Sequence, residues 1–152
     1  MPAVLALPAI YAAIVAKLKA DATLIALLAT GAGSVYNVAP ATAAFPYVEV
    51  GSGTEVDFNS MGPDGLAKWG GNSTVQITAR GQSSGAGSDL PVLTIISRVH
   101  AVLVGQPLTV AGFASVTVSR DSLPAIFTEV VDSRPTRTQP LILRVQVHEG
   151  AR

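Results

Sequence analysis

The chain has 152 residues, no cysteine, and ten basic residues balanced by ten acidic ones. That length fits one domain able to bury about 70% of its unfolded surface without disulfide staples. The missing thiols exclude cysteine nucleophiles and thiolate metal sites, and zero net charge excludes the basic stripe of a non-specific nucleic-acid binder.

Charge is also sparse: 13% of residues are charged, against roughly 25% in an average domain. Two readings fit this. One is a compositional bias toward alanine; the other is a subunit that covers much of its surface with partners.

The N-terminal stretch PAVLALPAIYAAIVAKLKAD has about 15 apolar residues before Lys17, where a membrane span needs roughly 20. No basic side chain precedes it, so it lacks the charged start of a secretory signal. The stretch therefore reads as neither membrane span nor export signal, and the expected location is cytoplasmic. Residues 1–7 form an apolar leader, and Pro8 suits the first turn of a helix. Ile10, Ile14 and Leu18 share one helical face, with Tyr11 beside them.

Asp21 is placed to cap a second short helix, ATLIALLA, which Gly31 and Gly33 end. SVYNVAP reads as a short strand stopping at Pro40. FPYVEVGSG reads as a half-buried one, with Val48 and Val50 alternating with Tyr47, Glu49 and Gly51.

Residues 52–73 show no sustained period, and Gly-Pro-Asp-Gly and Gly-Gly-Asn within them read as turns. The segment is expected to be a long loop, beyond the roughly 12–15 residues of an ordinary connection. Phe58, Met61, Lys68 and Trp69 on it are candidates for docking onto a partner. The other reading of Trp69 is an indole folded back onto its own core.

STVQITARGQ alternates, with Val75, Ile77 and Ala79 on one face. The Gly/Ser loop GQSSGAGSD then leads to a helix over about Asp89–Val104, striped by Val92, Ile96, Val99 and Leu103. Gly105 ends it and Pro107 prevents its return. AGFASVTVSR, AIFTEVVDS and LILRVQVHEG alternate as strands. The last puts Leu141, Leu143, Val145 and Val147 on one face. Between the last two, DSRPTRTQP reads as a loop whose Arg134 and Arg137 either pair with acidic groups of a partner or stay solvated. The expected fold is α+β: a single domain over 1–152, with two main helices packed on a largely antiparallel β-sheet.

Strand, glycine-rich loop and helix in that order raise the question of a phosphate site. A P-loop needs a lysine and a hydroxyl after its glycines, and no lysine follows Lys68. Asp89 stands where a phosphate would meet the helix N-terminus, and either its carboxylate or Ser88 is expected to cap that end. The loop is a connector and no cofactor is expected. His100 and His148 lie far apart in the chain and make a poor zinc site or catalytic pair. Glu55 with Asp57, and Glu129 with Asp132, read as solvated charges rather than an acid–base pair. No catalytic residue emerges.

The order of landmarks resembles the tail terminator proteins (tail completion, or head–tail joining) of long-tailed bacteriophages. The matching elements are Leu18 with Asp21, then Leu24, Leu27 and Leu28, then Pro40, then Pro46-Tyr47-Val48, then Leu103, Gly105 and Leu108. The apolar leader and the 52–73 segment depart from the pattern. The resemblance implies a non-enzymatic virion protein, assembled in the host cytoplasm, that forms a ring of six subunits on the head-proximal end of the tail tube. It implies contacts with the tail tube protein and a head–tail connector or stopper, with DNA only as cargo passing through the lumen. Two other readings stay open: another neck or tail-tube assembly protein, and a small ligand-binding protein or hydrolase.

Overall fold

Alternating apolar residues at 48–50, 75–79 and 141–147 must bury one side of an extended strand each, and all three lie side by side. The computed structural model describes residues 5–61, 67–82 and 89–149, with backbone alone at 57–61 and 67–69. The helices are α1 (Leu7–Lys19), α2 (Ala22–Ile25) and α3 (Leu90–Leu103). The strands are β1 (Val35–Tyr36), β2 (Tyr47–Met61), β3 (Ala67–Gln82), β4 (Ser115–Ser122), β5 (Phe127–Val131) and β6 (Arg134–His148).

They form one sheet in the order β1-β2-β3-β6-β4, with β5 also on β6. All pairings are antiparallel except β1 with β2. Along its second flank, β6 pairs with β5 through Thr138 and with β4 from Ile142.

Both main helices pack on the same face. Val48, Val50, Val75, Ile77, Ala79, Leu141, Leu143, Val145 and Val147 are buried there beneath Ile10, Ile14 and Leu18 of α1 and Val92, Ile96, Val99 and Leu103 of α3. Ile95 and Val102 widen the α3 stripe. The α+β architecture expected from the pattern is the one observed.

Four details differ from the sequence reading. The stretch 52–73 is not a loop: apart from residues 62–66, outside the described residues, it is strand, zipped from Thr54↔Thr74 to Met61↔Ala67. Backbone pairing sets this register, and the buried positions of the stretch, Gly70, Gly71 and Ser73, carry no apolar alternation for the sequence to show. A bulge between Gly51 and Thr54, with Ser52 at φ 51°, turns the strand there.

DSRPTRTQP is likewise strand from Arg134 onward. Its prolines argued against this, yet Pro140 falls in the gap between β5 and β4, where that flank of β6 has no strand to receive an N–H. The buried Gln139 side chain fills part of the gap, donating to the carbonyl oxygen of Pro124 at 2.7 Å.

The leader is shorter than expected, since Ala6 is buried and Leu7 already begins α1. The second helix keeps only Ala22–Ile25 of ATLIALLA.

Candidate interaction surface

Arg134, on the face of the sheet away from the helices, spans a gap that backbone alone cannot close. It donates to the carbonyl oxygens of Ala43 at 2.7 Å and Ala41 at 2.9 Å. Its guanidinium lies 4.4 Å over the Phe45 ring, a geometry that a planar, delocalised cation favours. Phe45 stacks on Tyr47 at 5.4 Å, and Tyr36 meets Tyr47 edge-on at 5.7 Å. Together they tie the 41–45 segment onto the sheet and bury Tyr47.

Arg137 points to the helix side. Its Nε donates to Oδ1 of Asp89 at 2.7 Å, a terminal nitrogen pairs with the same oxygen, and the other contacts Thr128. It thereby joins β6, β5 and the start of α3. Both arginines expected as loop cations therefore stand on a strand and are occupied within the chain.

Asp89 does occupy the helix start, but its side chain makes no capping bond to the helix; it serves Arg137 instead. Ser88 lies outside the described residues.

Three further polar tethers complete the frame. Asp21 caps α2 as expected, accepting from the Leu24 N–H at 2.7 Å. The same carboxylate takes two bonds from Arg98 of α3, at 2.9 and 2.6 Å. The Arg98 guanidinium, more than the Leu24 N–H, holds the Asp21 carboxyl below its ordinary range, against the opposing effect of burial.

Glu55 on β2 accepts from the Ala6 and Leu7 N–H groups at 2.9 and 3.0 Å. It caps α1 from 48 residues away in sequence, placing negative charge at the helix's positive end. No local signal could reveal that partnership. On the open face Arg80 lies 3.7 Å from both Glu49 and Glu129, and Thr138 donates to Glu129 at 2.7 Å.

Side chains of Phe58, Met61, Lys68 and Trp69 lie outside the described residues. Their backbones lie where the β2–β3 ladder nears and passes its limit of pairing with β6 at Gly70↔His148. From Asn59↔Trp69 to Met61↔Ala67 the ribbon is two-stranded, an arrangement that is marginal in water unless something packs on it.

His100 sits on α3 and His148 at the end of β6. Among the described residues no group of three or more His, Asp or Glu could hold a metal. No described helix is long and apolar enough to cross a membrane.

What the fold and surface define is an α+β domain whose charged residues mostly tether its own elements. Residues 12–147 match the family described as Tail completion protein gp17, and the chain belongs to that family. Its fold is similar to that of a chain in the solved structure titled "Virion of native gene transfer agent (GTA) particle". The TM-score is 0.69 and the identity 22%, over 96% of this chain and 99% of that one. No curated protein matches the sequence.

Proposed function

We propose that this tail completion protein is a structural part of a phage-like virion, acting without catalysis as a tail terminator. Six copies close into a ring on the head-proximal end of the tail tube. The ring stops addition of tube protein and offers the surface to which the head connector joins, while DNA passes through its lumen. Family membership across residues 12–147 carries this reading. The fold shared with a chain of a gene transfer agent virion supports it. Zero net charge and few charged residues suit a lumen past which DNA slides, because phosphate attraction scales with the cations presented.

In this reading the β2–β3 ribbon, with Phe58, Met61, Lys68 and Trp69, reaches a neighbouring copy or the tail tube. Arg134 and Arg137 act one step back, holding the 41–45 segment and the start of α3 that surround the contact surfaces. The deciding experiment is negative-stain microscopy of the purified protein with and without tube protein. Rings of constant diameter, found on one end of tubes whose growth they halt, are expected. Long open polymers would make the chain a tube subunit, and a monomer that ignores tubes would defeat the proposal. Trp69→Ala is expected to abolish tube capping while leaving the fold intact by circular dichroism.

A further inference from the structure

Both edges of the sheet carry strand with no partner. β1 covers β2 only at Val48 and Glu49, and among the described residues nothing bonds the outer backbone of β2 beyond Gly51. At the opposite edge, the Gly105 N–H donates to Val118 of β4 at 3.1 Å, so the chain after α3 lies against β4. β5 has no such cover among the described residues. β5 carries no lysine, proline or bulge, and its one charged side chain, Glu129, is taken up by Thr138 and Arg80 on the open face.

The side chains at these edges match face by face. Cross-strand partners share a face, and the register from Val56 through Asn72 to Gln146 puts Val56 on the open face, 67% exposed. The pairing Phe127↔Thr138 puts Phe127 on that same face, 44% exposed. On the helix side, Val130↔Pro135 places Val130 at the β5 edge, 72% exposed. On that side the β2 edge carries an apolar groove along α1, lined by Leu5, Leu7, Tyr11, Ala12 and Val15, with Glu55 at its rim. The rim carboxylate is already taken by α1, so Glu55 does not oppose a bare charge to Val130.

The geometry points to a second copy of this chain as the occupant of both edges: β5 of one subunit pairs antiparallel with the open stretch of β2 around residues 54–57 of the next. Successive antiparallel steps through β3 and β6 leave β2 and β5 running in opposite directions. The neighbour's β2 therefore joins β5 without reversal. Phe127 then faces Val56 across the junction, an aromatic–β-branched pair of the kind that stabilises antiparallel sheets. Val130 enters the groove beside α1. The two surfaces differ, so the contact is head-to-tail, and it gives a ring where the rotation between copies closes. This rests on the ring reading and names the contact that forms it.

The absence of native cysteine makes disulfide trapping clean. Val56→Cys and Phe127→Cys are introduced singly and together in the full chain, and the oxidised protein is run on a non-reducing gel. Within one subunit, β3 and β6 separate the two positions by about 14 Å of strand spacing, beyond the reach of a disulfide. The double variant is expected to give a ladder of linked multimers ending at the ring size, and each single variant only monomer. A single variant that links to itself would mean a symmetric edge contact and overturn the proposal. Val130→Lys is expected to raise the concentration needed for rings about tenfold. Rings seen by microscopy with no 56–127 link and no effect of Val130→Lys would overturn the edge contact and leave the ring intact. No ring and no link under any condition would remove both readings.

Discussion

The two faces of the sheet are held by different forces. Beneath the helices, apolar side chains from β2, β3 and β6 pack against α1 and α3, with Ser73 and Gln139 among the buried polar side chains on that face. On the other face, Arg134, Phe45, Tyr47, Arg80, Glu49 and Glu129 form a framework of directed contacts. Hydrophobic burial is non-directional and tolerates approximate placement, whereas hydrogen-bonded cations fix one segment at one position. The covered face thus holds the apolar core, and the open face fixes the positions of its segments.

Substitutions at four positions would break or sharpen that contrast. Leu143→Ala, fully buried under the helices, should cost about 3–4 kcal/mol in urea unfolding. A loss under 1 kcal/mol would show that the helices do not close the core there. Gly53→Ala comes next, at about 2–3 kcal/mol. The added Cβ would lie 2.5 Å from the Tyr11 hydroxyl and 2.7 Å from the Thr74 carbonyl oxygen. Backbone cannot yield as a flexible side chain can, so Gly53→Ser should be no better.

On the open face, Arg134→Ala should cost less, about 1–2 kcal/mol. Its main effect should be local, as faster hydrogen exchange at residues 41–45. Arg134→Lys should recover little, since an ammonium lacks the fork that reaches both carbonyls. Uniformly faster exchange across the sheet would contradict the division of labour between the faces.

The smallest effect concerns pH. Folding holds the Asp21 carboxyl below its ordinary value, which is about 3.9 in an unfolded chain. Its contribution is therefore complete above that value and disappears as pH falls through the lowered folded value. Asp21→Asn keeps a capping oxygen but loses the charge, and should cost about 0.5–1 kcal/mol at pH 7, partly screened because Arg98 is more than a third exposed. The difference from wild type should vanish in the acid limb of urea titrations. A constant difference at all pH values would assign the effect to the cap alone.

The sequence was most legible where side chains repeat with the period of their backbone. Ile10, Ile14 and Leu18, the α3 stripe, and the alternations at 75–79 and 141–147 all face the core as their spacing predicts. Legibility failed where that coupling ends. Residues 54–61 and 67–73 are strand because they pair with one another, and from Gly70 onward with β6 as well, while the buried positions there are Gly70, Gly71 and Ser73, which show no apolar alternation in the sequence. Arg134 and Arg137 looked like loop cations because neighbouring prolines obscured a strand that pairs with β3 from Gly70 to Gln82.

By itself, the sequence determined the fold class, the core, the Asp21 cap and the likeness to tail terminators. These follow from periodicity, local capping chemistry and the order of landmarks along the chain. Tertiary structure alone decided that Glu55 caps α1, that Arg98 takes Asp21 and Arg137 takes Asp89, and that β2 and β5 are the open edges. The physical reason is range. A helix or strand period is written within a few residues, but a distant charge finds its partner, and a strand edge stays unpaired, only once the whole sheet has formed.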